Sequence, residues 1–223
     1  MRLSPVSREN PDTKILPVFV FDIGGVVIKW RNSGQIYRYI AQRYRLPIHP
    51  LTGALAPEVR RLESGDGDAD ECVERVLAGF GRRLIAGDSG GLLLAQPFKE
   101  KARLRKGVVQ IITKLRREGY RVYALSNTCL PHLKVMRENG WPHLFDGFFT
   151  SCELGAVKPH RDAYLAVLGA VGAEPSQTVF VDDREENVIG AKLAGIRWPI
   201  HYTSIERLKQ DIERILEVTT HSE

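Results

Sequence analysis

Asp22 closes the apolar run from Leu16 to Phe21 and is followed at once by two glycines, Gly24 and Gly25. Burying an unpaired carboxylate is costly, so an acid at that place calls for a partner or a task. Three further stretches carry complementary groups. "YALSNT" brings the Ser126 hydroxyl and the backbone amide of Asn127, "GAVKPH" brings the Lys158 ammonium, and "VFVDD" ends on the pair Asp182–Asp183. Together these parts suit phosphoryl transfer. A dianionic phosphoryl group is held by fixed positive charge and hydrogen-bond donors, which Lys158 and the Ser126–Asn127 turn can supply. Asp22 and Asp183 offer the hard oxygens that Mg²⁺ prefers, beside an oxygen of the phosphate itself.

These stretches must meet, and the elements around them indicate how. Leu16 to Ile28 reads as a buried strand and a tight Gly-Gly turn, with "YRVYALSN", "TVFVDD" and "RWPIHY" as further strands. Between and after them lie the helical patterns "GVVQIITKLRREG", "RDAYLAVLGAVG", "NVIGAKLAGI" and "SIERLKQDIERILEV". The first ends at Gly119, where a left-handed cap is cheap, and the last starts after Ser204, a suitable N-cap. Strands alternating with helices predict an α/β fold with a Rossmann-like parallel-sheet core. Ligands of open parallel sheets bind beyond the carboxyl ends of the strands. Asp22, Ser126 and Asp182 fall there, and Lys158 falls in a loop before a helix. From about Arg31 to Arg105 no β-run occurs, while "GQIYRYIAQRYRL" and "ECVERVLAGFGRRLI" show helical periodicity. A helical domain inserted over 31–105, splitting the core into 14–30 and 106–223, is therefore expected. Residues 1–13, polar with two prolines, read as a flexible tail.

The composition narrows the partners. The 223 residues are 43% hydrophobic and 26% charged, as in ordinary soluble domains. A net charge of +5 can draw in small anions. No dense Lys/Arg tract interleaved with aromatics suggests nucleic acid, and no apolar span reaches membrane length. The amino terminus lacks an apolar signal core. The cysteines, Cys72, Cys129 and Cys152, are odd in number and form no CxxC pair, which argues for a reducing compartment. A cytoplasmic protein acting on a small phosphorylated metabolite is expected, with no nucleic-acid or membrane partner; oligomeric state is left open. His132 and His160 read as structural or surface residues, and His49, Asp66, Asp68 and Asp70 as solvated groups of the insertion.

In order along the chain, "FDIGGVV", "LSNT", "GAVKP" and "VFVDDREEN" resemble the four motifs of the haloacid dehalogenase superfamily, over about residues 15 to 201. The resemblance is strongest to the branch with a helical cap after the first motif, which includes sugar-phosphate phosphatases and the phosphatase domain of soluble epoxide hydrolase. It implies that Asp22 is a nucleophile forming an aspartyl-phosphate. Ser126 and the Asn127 amide would hold the transferred group, and Lys158 would neutralise charge on it and on Asp22. Mg²⁺ would be bound by Asp22, Asp183 and the backbone carbonyl of Gly24, with Asp182 and Asn187 in support.

Position 24 departs from that pattern. Related phosphatases commonly carry a second Asp there, protonating the leaving oxygen and later activating water. Such acid–base groups contribute about 10² to 10⁴ in rate. Gly24 thus removes the expected acid and leaves the nucleophile intact. The enzyme would then favour good leaving groups, or a cap residue or water would replace the acid, or the chemistry would differ. The last case includes a metal-free 2-haloacid dehalogenase and a catalytically silent phosphate-binding or interaction protein. Dehalogenases also lack the second Asp, but they have no use for an acidic pair awaiting a cation. Asp182–Asp183 therefore favours the Mg²⁺-dependent phosphatase.

Overall fold

Val18–Phe21 (β1) is apolar throughout and buried at every position, as a strand covered on both faces requires. A computed structural model describes residues 16–30 and 34–220; the tail expected over 1–13 and the start of the insertion at 31 lie outside the described residues. After β1 come four helices, α1 (Gln35–Tyr44), α2 (Ile48–Glu63), α3 (Ala69–Gly79) and α4 (Gly90–Lys101), and then α5 (Lys106–Arg117) returns the chain to the sheet. There follow β2 (Val122–Ser126), α6 (Leu130–Glu138), β3 (Gly147–Thr150), the short α7 (Ser151–Leu154) and α8 (Arg161–Val171). The chain continues through β4 (Thr178–Asp182), α9 (Glu185–Leu193) and β5 (Trp198–His201) to α10 (Ile205–Thr220).

The strands form one parallel sheet in the order β3-β2-β1-β4-β5, with Phe19 opposite both Val122 and Val179. β1 is central, and the direction of winding reverses beside it, which places a ligand crevice at its carboxyl end. Alternate residues of each strand point to opposite faces. Phe19 and Phe21 join the apolar cluster of α5 and α10, whereas Val18 and Val20 join that of α8 and α9. The first cluster runs on without a break into the inserted helices through Ile36, Leu55, Leu94 and Phe98. Insertion and sheet therefore share one apolar interior.

The α/β, Rossmann-like expectation agrees with this sheet, and Ser204 accepts a hydrogen bond from the Arg207 amide at 3.1 Å as the N-cap of α10. Several elements were not legible. α2 and α4 contain Pro57 and Pro97, which interrupt a helical pattern although neighbouring packing accommodates them. β3 is a four-residue edge strand, half-buried for most of its length, so it leaves no apolar run to read. Pro199 is tolerated in β5 because that strand lies at the opposite edge. Among the described residues no helix is long and apolar enough to cross a membrane.

Candidate active site

The end of β1 hands the chain directly to Asp22, whose amide donates to the Val181 carbonyl at 2.8 Å, tying it to the neighbouring β4. Lys158 reaches the same point from the loop before α8. Its Nζ donates to Asp22 Oδ1 at 2.6 Å, to Asp182 Oδ2 at 2.7 Å and to the Leu125 carbonyl at 2.8 Å. The three ammonium protons are thus all used, and the side chain is buried with its Nζ 5.5 Å from the centre of the Phe180 ring. Asn127 holds that loop in place: its Oδ1 accepts from the Lys158 amide at 2.9 Å and its Nδ2 donates to the Lys158 carbonyl at 2.8 Å. The sequence reading used only the backbone amide of Asn127; the clamp made by its side chain was not foreseen.

Asp182 and Asp183 are adjacent but differently placed. Asp182 is fully buried, accepting from Lys158, from Asn187 Nδ2 at 3.0 Å on each oxygen and from the Arg184 amide at 2.9 Å. Asn187 is itself fixed, since the Tyr164 hydroxyl donates to its carbonyl at 2.7 Å. Asp183 is half-buried and lines the cleft, as do Asp22, Gly24 and Ser126. Carboxylate oxygens of Asp22, Asp182 and Asp183 lie within 4.8 Å of one another.

Three clustered acids face one ammonium. Burial pushes the Asp22 carboxyl up to about 7, with Lys158 opposing the shift and Asp182 and Asp183 adding to it. Burial also disfavours the Lys158 ammonium, but the Asp22 and Asp182 carboxylates outweigh it and hold its pKa above the usual lysine value. Negative charge left over in a cluster of hard oxygens is what a divalent cation of the Mg²⁺ type relieves. The donor set fits such an ion.

The two glycines are not equivalent. A Cβ at Gly24 would meet only the Trp30 carbonyl at 3.5 Å, an ordinary contact. Gly25 has φ +86° and a Cβ there would land on the Asp183 carboxylate. Position 25 needs glycine for space and backbone both; position 24 does not.

Above Asp22 opens a cleft of about 660 Å³. The insertion contributes Glu63, the last residue of α2, and Phe98 of α4. Trp30 and His132 close one side against Phe98: Trp30 meets it edge-on at 5.1 Å between centroids, and the His132 ring stacks on it at 4.4 Å. Thr128 is buried and lines the same cleft, and its Oγ1 has no hydrogen-bond partner among the described residues. Glu63, Phe98 and His132 were not recognised as lining residues in the sequence, where no local pattern marks them; Thr128 stands in the "LSNT" stretch beside the residues that were. Asp68 instead caps α3 and Asp70 accepts from the Gly91 amide, both on the exposed surface.

His132 is structural, as one of its two expected readings had it. A ring nitrogen, Nε2, pairs with the Leu94 carbonyl at 3.1 Å, joining α6 to α4. Burial lowers its pKa from 6.5 to about 4. The unfolded chain therefore takes up this proton first, so the penalty is absent above pH 6.5, grows as pH falls towards 4 and is constant below. At 1.36 kcal/mol per unit this amounts to about 3 kcal/mol. Urea unfolding at pH 7 and pH 4 should show that much more acid destabilisation in the wild type than in His132→Gln; equal losses would mean that the ring is not held neutral.

The sequence profile of the haloacid dehalogenase-like hydrolase family matches residues 16–195, and the chain belongs to that family of hydrolases. It is similar to a sesquiterpene phosphatase of Aspergillus oryzae, 26% identical over 182 residues, which span 79% of this chain and 85% of that one. It is also similar to a D-ribitol-5-phosphate phosphatase of Bacteroides thetaiotaomicron, 30% identical over 190 residues, 78% of this chain and 86% of that one. A solved haloacid dehalogenase family enzyme of the same bacterium, in a magnesium complex, shares the fold with a TM-score of 0.70 and 23% identity, over 88% of this chain and 100% of that chain.

Proposed function

We propose that the protein is a Mg²⁺-dependent phosphatase of small phosphorylated metabolites, working through an aspartyl-phosphate on Asp22, with the helices of residues 31–105 as a cap. The observation that carries this reading is the buried Asp22–Lys158–Asp182 bridge with Asp183 alongside it at the cleft floor. Among the described residues Lys158 is the one side-chain donor to Asp22, through Oδ1. The carboxylate is thus oriented without having its nucleophilic character spent on several donors. Ser126 and the Asn127 amide would receive the phosphoryl oxygens, and Lys158 would balance the charge that gathers as phosphorus is attacked. Asp22, Asp183 and the Gly24 carbonyl would hold Mg²⁺, which when bound draws charge from the phosphoryl oxygens and lessens their repulsion of Asp22. The names of the phosphatase relatives support the reaction class, and the unpaired state of all three cysteines supports a reducing compartment such as the cytoplasm.

Hydrolysis of p-nitrophenyl phosphate under Mg²⁺ and chelator titration tests the reading. Turnover should rise with Mg²⁺ and vanish in excess EDTA. Halide release from a 2-haloacid without metal would favour the dehalogenase, and phosphate binding without any turnover would favour the silent protein.

The roles of the acidic pair separate in the same way. Asp182 is committed to Lys158, Asn187 and the Arg184 amide, and acts on a metal only through them. Losing such a supporting group typically costs 10- to 100-fold in metal affinity. Asp183→Asn should therefore weaken Mg²⁺ binding more than Asp182→Asn does, measured by calorimetric titration. Equal or reversed losses would assign the pair the other way round.

A further inference from the structure

Position 24 has no proton to give, and the cleft holds few groups that could replace it. In-line displacement puts the departing oxygen on the far side of phosphorus from Asp22, within reach of the wall where the insertion faces the sheet, so with Gly24 unable to donate, a replacement acid is sought there. Lys158 has committed all three protons. His132 is buried, pairs with the Leu94 carbonyl and is held neutral. His201 is exposed and its Nε2 pairs with the Asp183 carbonyl. Glu186 is paired with Arg184, and Glu185 is exposed beside it at the start of α9.

Glu63 differs from all of these. It lines the cleft from the inserted side, and among the described residues it makes no hydrogen bond or ion pair. It ends the 16-residue α2, where the negative end of the helix dipole disfavours a carboxylate. The charges near it are Arg184 from the sheet side and Arg60 from its own helix, with Tyr37 and Cys129 as the other titratable neighbours. Burial raises its pKa above the usual carboxylate range against both arginines, which favours the protonated form that an acid needs.

We propose that Glu63 is the general acid and base of this site, supplying from the cap what Gly24 cannot; the assignment rests on the phosphatase reading. As an Asp22 oxygen bonds to phosphorus and the ester P–O bond breaks, the Glu63 proton passes to the leaving oxygen and an alcohol departs. Water then attacks phosphorus, the bond to Asp22 breaks, and the proton released by that water returns to Glu63. The sum is one ester and one water giving one alcohol and one phosphate.

The test is kcat/KM for aryl and alkyl phosphate monoesters of graded leaving-group pKa, measured with Mg²⁺ on wild type, Glu63→Gln and Glu63→Gln/Gly24→Asp. Wild type should depend only weakly on the leaving group. Glu63→Gln should lose about 10² to 10⁴ on primary alkyl phosphates, with smaller losses as the leaving group becomes more acidic. The space at position 24 lets Gly24→Asp restore an acid, so the double variant should regain at least about tenfold on the alkyl esters, a fraction of the full acid–base effect. A loss in Glu63→Gln that is uniform along the series, or no loss, overturns the proposal while the phosphatase reading stands. A wild type inert on every ester overturns both.

Discussion

Asp22→Asn is expected to abolish turnover while leaving the protein folded, and in metal-free buffer the variant should be no less stable than wild type. An amide in the place of the carboxylate cannot form the covalent intermediate, and losing a covalent nucleophile costs roughly 10⁴-fold or more. Asn keeps an oxygen that can accept from Lys158, so the bridge at 2.6 Å has a substitute. The stability side follows from linkage. Between the unfolded carboxyl's 3.8 and the folded value of about 7, native Asp22 keeps a proton that the unfolded chain releases. Wild-type stability attributable to this group therefore falls as pH rises through that window. Asn has no proton to lose, and the slope should vanish. Thermal unfolding in EDTA across pH 4 to 8, set beside phosphatase assays, checks both halves. Turnover at the wild-type rate would exclude an aspartyl-phosphate at residue 22.

Lys158→Met should carry the largest loss of stability. The ammonium is buried between two carboxylates, and removing one partner of a buried ion pair leaves uncompensated charge at a cost of about 3–5 kcal/mol. For a chain of this size that is a fall in Tm of about 6–20 °C. Activity should fall by at least about 10²-fold as well, the scale of losing a group that stabilises developing charge. The two effects share a cause, so combining variants is informative. Asp22→Asn in the Lys158→Met background removes one of the stranded charges and should recover part of the lost stability, a coupling that independent sites would not show. Lys158→Met within 1 kcal/mol of wild type would mean that water or a counter-ion already serves these acids.

The floor of the site was readable because its residues sit where strand ends must deliver them. Strand patterns put Asp22, Ser126 and Asp182 together at the carboxyl ends of the strands, and Lys158 stood in a loop that had to pass nearby. The contacts that give them chemistry were not readable. Lys158 and Asp22 are 136 positions apart, and nothing local states that one ammonium spans two carboxylates. Nor does a sequence distinguish Asn127 as an amide donor from Asn127 as a clamp on the Lys158 loop. The upper wall was less legible still. Glu63 ends a helix whose pattern Pro57 interrupts, and Phe98 follows Pro97 in another. Their places in the cleft depend on how the insertion folds back over the sheet, a matter of long-range packing that helical periodicity does not encode.

The neighbouring glycines also bear on inheritance. Some glycine codons become aspartate by a single base change, and such a change would have opposite fates at the two positions. At 25 the new side chain would displace Asp183 and strain a left-handed backbone, so the damage would fall on the fold of the site itself. At 24 the added Cβ meets only the Trp30 carbonyl, at an ordinary contact of 3.5 Å, and the backbone is not in the left-handed region. A lineage carrying this chain could cross between acid-bearing and acid-free forms there without the backbone strain and the collision with Asp183 that bar the same step one residue on.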